Sequence, residues 1–213
     1  MPAYGFLSSL DERDQRDLRA VATVRRYRTG TTVLFQGQRS GVVLILLEGR
    51  VKITSVSENG RQQLLGIAGP GELLGELAAI DGAEHSASAV AAEPVTALAL
   101  RPTEFREFLG THAAVSYHLL ESVVHRLRTN DRKRVEYGAY DVGARVARRL
   151  LELAADSGGI DLPLTQDDLA GLVGASREQV ARSLRALRDA GVVETGRRTL
   201  TILDLALLEK RAR

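Results

Sequence analysis

The sequence predicts an α+β chain in which a small antiparallel roll of strands is followed by a long helix and then by a winged helix-turn-helix. Three observations predict it. Between Val24 and Leu100, short β-branched runs are separated by glycine-bearing turns at regular intervals. Val115, Leu119, Val123 and Leu127 then fall four apart, with Leu120 and Val124 beside them, in a stretch free of proline. Finally, Thr165 to Ala190 holds two helix starts in close succession.

Bulk properties set the frame. A chain of 213 residues with 44% hydrophobic and 26% charged content is long enough for two ordinary domains with their own cores. A net charge of +2 is too small for whole-molecule steering, so local clusters matter more than the total. The absence of cysteine excludes disulfides, thiol nucleophiles and cysteine-held iron–sulfur clusters. No basic region followed by an apolar core opens the chain, and no apolar run approaches the ~20 residues needed to span a bilayer. A cytoplasmic protein without membrane contact is therefore expected.

In order, Ser8 or Ser9 is expected to cap a first helix through about Ala22, with Asp11 and Glu12 in its opening turn. Strands follow at Thr31 to Phe35, Val42 to Leu47, Arg50 to Ser57, Gln62 to Ile67, Ala87 to Val90 and Val95 to Leu100. Gly30, Gly37, Gly41, Gly49, Gly60, Gly69 and Gly71 are expected to supply the turns. Pro102 and Thr103 open a helical stretch that leads into the long helix, about Ala114 to Glu136, whose apolar stripe suits a second copy of the chain. Gly138 marks a hinge, and Asp141 begins a helix through about Ala155 with Val142, Val146, Leu150 and Leu151 on one side and Arg145, Arg148 and Arg149 on the other. The expected divisions are residues 1–113, 114–138 and 139–213.

Thr165 with Asp168, and Ser176 with Gln179, have capping-box spacing, placing helices over Gln166 to Val173 and Arg177 to Ala190. Gly174 and Ala175 make the tight turn between them, and Leu169, Val173, Val180, Leu184 and Leu187 can seal the pair. Arg177, Glu178 and Arg182 are left outside at the start of the second helix. Arginine presents a bidentate fork to guanine O6 and N7, and a carboxylate accepts from cytosine N4, so these three are the candidate readers of base edges. Thr165, Gln166, Ser176, Arg185, Arg197 and Arg198 are candidate phosphate contacts, with Val192 to Ile202 as a hairpin wing along the backbone.

The loop from Gly69 to Val90 is the second candidate site. Gly75 and Glu76 open a short helical turn, and the return strand carries Ser86, Ala87 and Ser88. Amides at a helix start bind anions, and glycine allows close approach, though such a corner is also ordinary barrel architecture.

The order QGQ, LEGRVKI, GPGELLGELAAIDG and SAS, a long helix, then LTQDDLAGLVGASREQVARSLRALRDAGVVETGRRTLTILD, resembles the CRP/FNR superfamily of bacterial transcription regulators over about Tyr27 to Leu205. Its most specific part is SREQVAR. The resemblance implies an N-terminal cyclic-nucleotide-binding β-roll, a dimerisation helix and a C-terminal winged helix-turn-helix. It also implies double-stranded DNA and RNA polymerase as partners, a homodimer, and a palindrome of TGTGA-like half-sites read by Arg177, Glu178 and Arg182.

For the pocket, it implies that Gly75, Glu76, Leu77 and Ala78 form the family's G-E-L-A turn, with Glu76 on the ribose. Cyclic-AMP binders follow this with an arginine that neutralises the phosphate. Here Glu84, His85, Ser86 and Ala87 occupy that segment, and the arginine is replaced. Ser86 can still donate to a phosphate oxygen, but a neutral imidazole gives up the charge that arginine always carries. At the adenine-holding positions on the long helix stand Asn130 and Asp131. The effector is thus expected to be a cyclic nucleotide held by altered contacts, a cyclic dinucleotide, or none at all, and His85 can equally be a hydrogen-bonded surface histidine.

Pro2 and His85 are the residue types through which some family members hold haem, but no other ligand pattern supports that reading. A metal-dependent enzyme on the roll needs clustered His and Glu on strands, whereas His112, His118 and His125 fall on expected helices. No metal and no catalytic activity are expected. A nucleotide-binding regulatory subunit acting on a protein partner is the remaining alternative, set apart by a lack of sequence-specific duplex binding.

Overall fold

The structure, a computed structural model, describes residues 5–56, 62–157, 161–162, 165–196 and 199–213. It divides into two compact units, Tyr4–Leu127 and Arg128–Arg213, and the division falls inside the long helix. The elements of the first unit are α1 (Phe6–Ser9), α2 (Glu12–Val21), β1 (Thr23–Tyr27), β2 (Thr32–Leu34), β3 (Val43–Glu48), β4 (Val51–Val56), β5 (Gln62–Ala68), β6 (Leu73–Leu74), α3 (Glu76–Asp81), β7 (Ser88–Ala91), β8 (Val95–Leu100), α4 (Pro102–Thr111) and the start of α5 (Ala113–Ala139).

Two antiparallel four-stranded sheets, ordered β1-β8-β3-β6 and β2-β7-β4-β5, form the roll. Strand β3 shows why the sequence folds this way. Its alternate residues Leu44 and Leu46 pack between the sheets with Val51, Ala68, Ala89 and Ala97, while Val43 and Ile45 pack on the other face with Leu18, Phe105, Phe108 and Leu119 from the helices. A strand buried on both faces reads as an unbroken apolar run, which Val42 to Leu47 is. Phe105, fully buried in the helical layer, contributes about 1.5–3 kcal/mol by its own burial.

Several expectations are corrected here. Asp11, not Ser8 or Ser9, caps the main N-terminal helix by accepting from the Asp14 amide at 2.7 Å, because the two serines fold into α1 and donate to the Gly5 and Phe6 carbonyls. β1 and β6 were not expected, since TVRRY carries two arginines on an exposed edge and β6 is two residues long. Gly41 and Gly69 are not among the glycines of positive φ. The stripe on α5 also splits. Val115, Leu119 and Val123 pack into the first unit, leaving Tyr117, Leu120, Val124 and Leu127 exposed at 61, 58, 38 and 60%.

The second unit comprises the rest of α5, α6 (Val142–Ser157), β9 (Asp161–Leu162), α7 (Gln166–Val173), α8 (Arg177–Asp189), β10 (Val193–Gly196), β11 (Thr199–Ile202) and α9 (Leu205–Arg211). Gly138 lies inside α5, and the break comes at Tyr140, after which Asp141 accepts from the Ala144 amide at 2.8 Å and starts α6. The arginines of α6 do not form a solvated face. Arg145 donates to the Val173 carbonyl at the end of α7 at 2.9 Å. Arg148 donates to Glu136 at 3.0 Å and to the Ala212 carbonyl at 2.6 Å, and its guanidinium lies 3.9 Å over the Tyr140 ring. β9 adds a third strand to the wing through Leu162 opposite Leu200, and α9 seats Leu208 in the core. Both escaped the sequence reading: one is two residues long, the other a seven-residue helix after the hairpin. Among the described residues, no helix is long and apolar enough to cross a membrane.

Candidate nucleic-acid interface and ligand pocket

Both expected capping boxes form. Thr165 Oγ1 accepts from the Asp168 amide at 3.0 Å while Asp168 accepts from the Thr165 amide at 2.9 Å. Ser176 Oγ accepts from the Gln179 amide at 3.2 Å while Gln179 accepts from the Ser176 amide at 2.9 Å. Each hydroxyl is used as an acceptor, so its proton stays available to an anion docked at the same helix start. Gly174 takes φ 61°, ψ 44°, the left-handed conformation that ends α7 and lets α8 start three residues later.

Val180, Leu184 and Leu187 are buried, fixing the rotation of α8. The opposite face consequently exposes Glu178, Arg182 and Arg185, and Arg177 is exposed at the first position of the helix. Thr165, Gln166, Asp167, Arg177, Thr195 and Thr199 line a polar cleft of about 340 Å³ between the first turn of α7, the start of α8 and the wing hairpin. At its rim Asp167 Oδ1 lies 3.6 Å from Arg177 Nε, a pair that sequence spacing did not reveal. Arg197 and Arg198 lie outside the described residues.

The loop site in the first unit is built differently from expectation. Gly75, with φ +84°, caps α3, and a Cβ there would meet the Val42 carbonyl oxygen at 2.8 Å and His85 Cε1 at 3.2 Å, so only glycine fits. Glu76 is 3% exposed, and its Oε1 accepts from Arg126 Nη2 of α5 at 2.6 Å. A buried carboxylate needs such a partner. Arg126 was missed in the sequence, although it lies two helical turns after Leu119 and so shares the face of α5 that packs inward.

His85 is not a surface residue. It is 7% exposed, and its backbone is clamped: its amide donates to the Gln38 carbonyl at 2.8 Å and its carbonyl accepts from the Gly37 amide at 2.9 Å. Ala78 is buried, whereas Leu77 and Ser86 are exposed. Ser86 and Ala87 precede strand β7, which begins only at Ser88, whose Oγ accepts from the Gln36 amide at 3.0 Å. Asn130 and Asp131 are exposed on α5 and group with the second unit.

Burial pushes the His85 imidazole below its ordinary value of 6.5, and the Glu76 carboxylate pulls it part of the way back. At neutral pH the ring is uncharged. The unfolded chain then takes up a proton near 6.5 that the folded chain still refuses, so His85 lowers stability as pH falls through 6.5 toward the depressed folded value. Urea unfolding between about pH 5 and 8 should show this slope, and His85→Gln should flatten it; an unchanged slope would place the titration elsewhere.

Among the described residues, no group of three or more His, Asp or Glu is placed to hold a metal ion. The geometry offers instead an anion-facing helix pair and a buried carboxylate able to accept from hydroxyl groups.

Comparison with known proteins matches two stretches of the chain. A cyclic nucleotide-binding domain model matches residues 24–112, and a Crp-like helix-turn-helix domain model matches residues 144–211. The cyclic AMP receptor protein of Thermus thermophilus is 34% identical over 188 residues, covering 88% of this chain and 87% of that protein. The chain belongs to the CRP/FNR family of transcription regulators. A second CRP/FNR relative, the CRP-like cAMP-activated global transcriptional regulator of Mycobacterium tuberculosis, is 32% identical over 191 residues, covering 86% of this chain and 85% of its own length.

Solved CRP/FNR structures share the fold. The Thermus thermophilus catabolite activator protein aligns with TM-score 0.58 at 31% identity over 98% of both chains. The c-di-GMP responsive global regulator of Xanthomonas campestris aligns with TM-score 0.80 at 23% identity over 91% of this chain and all of that one, a likeness of fold alone. The chain is thus a DNA-binding transcription regulator with an effector-binding domain, and its domains and relatives are those of regulators and not of enzymes.

Proposed function

We propose that this CRP/FNR regulator works as a homodimer that reads a palindrome of TGTGA-like half-sites and answers to a cyclic nucleotide, with RNA polymerase as its protein partner. The observation that carries the DNA part is the exposed row Arg177, Glu178 and Arg182 on a helix whose rotation is fixed by Val180, Leu184 and Leu187. The arginines suit guanine and the carboxylate suits cytosine, while Thr165, Gln166, Ser176 and Arg185 suit the flanking phosphates. Direct base readout is favoured over a purely electrostatic surface because a carboxylate stands within the row, where it weakens non-specific binding to a polyanion.

Exposed Tyr117, Leu120, Val124 and Leu127 follow the three-four spacing of a coiled-coil seam, which supports a second copy of α5 as their cover. A symmetric dimer would set two recognition helices about 34 Å apart, one turn of the duplex. Selection from random duplexes should then return a dyad whose half-site centres lie about 10 base pairs apart. Leu120→Asp combined with Leu127→Asp should leave a monomer that has lost the dyad preference. A single, non-repeated motif bound by the wild type, or a dimeric double variant, would overturn the symmetric reading.

For the effector, Glu76 would accept from the ribose hydroxyl, with Arg126 holding it in place. The names of the relatives support cyclic AMP as the first ligand to try. His85 supplies no charge to the phosphate at neutral pH, so weaker binding than an arginine would give is expected. Gly75, Leu77, Ala78, Ser86, Asn130 and Asp131 enter the pocket assignment through the family resemblance.

A further inference from the structure

We propose that Asp167 is a positioning residue for base readout, its carboxylate holding the Nε edge of Arg177 so that the Nη1 and Nη2 edge is presented to guanine. The inference rests on the reading of Arg177 as a base-contacting residue. Two carboxylates follow each other in the first turn of α7, and they do different things. Asp168 is engaged by the Thr165 amide in the capping box. Asp167 instead faces the start of the neighbouring helix, with Oδ1 at 3.6 Å from Arg177 Nε.

The backbones on both sides are fixed: α7 by its capping box, α8 by Ser176 and Gln179. The helix-turn-helix therefore sets where the two side chains start, within reach of each other. Both are largely exposed, at 70 and 68%, so the pair stabilises the free domain only slightly. A carboxylate on the rim of a cleft that faces DNA also costs affinity, since it repels every phosphate nearby. General affinity argues against placing an acid there, and the favour that the first turn of α7 gives any carboxylate does not account for its facing Arg177.

Geometry is what remains. An arginine has five N–H donors in a planar fork and a long flexible stem, and its bidentate contact to guanine needs that fork turned edge-on to the base. A carboxylate 3.6 Å from Nε attracts that edge of the fork by charge, biases the rotation of the plane and leaves the terminal pair free. As DNA expels water from the cleft, the ion pair strengthens at the moment the alignment is needed.

The test compares binding to duplexes carrying the selected site with binding to duplexes substituted at the base pair read by Arg177, at several salt concentrations. Asp167→Asn should reduce that discrimination by about 5- to 10-fold while non-specific binding strengthens, and Asp167→Glu should restore most of it. In an Arg177→Ala background the Asn substitution should change non-specific affinity only. Matching thermal midpoints exclude loss of fold as the cause. Unchanged discrimination in Asp167→Asn, with all duplexes bound more tightly, would reduce Asp167 to simple repulsion and overturn the proposal. If Arg177→Ala itself leaves discrimination intact, the base-contact reading falls and takes the proposal with it; loss in Arg177→Ala alone sinks only the role of Asp167.

Discussion

Arg177→Ala is expected to abolish preference for the palindrome while dimerisation and folding stay intact. Arg177 is exposed at the first position of α8, and its removal empties no core and breaks no cap, because Ser176 and Gln179 carry the capping box. What is lost is a bidentate contact of about 1–3 kcal/mol per half-site, and two half-sites double it. Discrimination against a substituted site should fall by about 5- to 150-fold per half-site and, with both half-sites counted, by about 30-fold or more, whereas non-specific affinity should fall far less. Titration of cognate and scrambled duplexes at fixed salt measures the ratio directly. An unchanged ratio would remove Arg177 from base recognition.

His85→Arg is expected to tighten cyclic AMP by about 10- to 100-fold, the worth of one charge-assisted hydrogen bond to the phosphate. The buried imidazole beside Gly75 and Glu76 is uncharged at neutral pH, since burial outweighs the pull of the carboxylate. A permanent cation at that position has Glu76 nearby to offset its desolvation, and Glu76 already accommodates Arg126. Calorimetry on both variants decides. Heat for the variant with a weaker signal for the wild type supports a cyclic-nucleotide pocket; no heat for either makes the chain a regulator without this effector.

Much of the fold was legible because local chemistry and burial agree along most of the chain. Paired hydroxyl and acid or amide side chains at three-residue spacing announced both helices of the helix-turn-helix, and both boxes are present. Continuous Val42 to Leu47 announced a central strand. The failures share a cause as well. β6, β9 and α9 are too short to carry a clear period, although Asp204 caps α9 locally by accepting from the Leu207 amide at 2.8 Å.

The candidate effector site was legible in residue type and not in arrangement. Glu76 and Gly75 stand where the GEL motif suggested, but the burial of His85 depends on the turn at Gly37 and Gln38, far away in sequence. The partnership of Glu76 with Arg126 crosses 50 residues, and that of Asp167 with Arg177 crosses a turn whose geometry is set by one left-handed glycine. Side-chain pairing between elements is invisible to periodicity.

The three contacts of Arg148 bear on the order in which the chain can be completed during synthesis. The first unit holds its helical layer, through Leu119 and Val123, within residues that leave the ribosome early. The second unit draws on residues from both ends of its stretch. The guanidinium of Arg148 emerges with Glu136 and Tyr140 at hand, but its carbonyl partner at Ala212 is translated only after the whole helix-turn-helix and wing have appeared. The DNA-binding half of the molecule, translated last, gains this contact only once the end of α9 is in place.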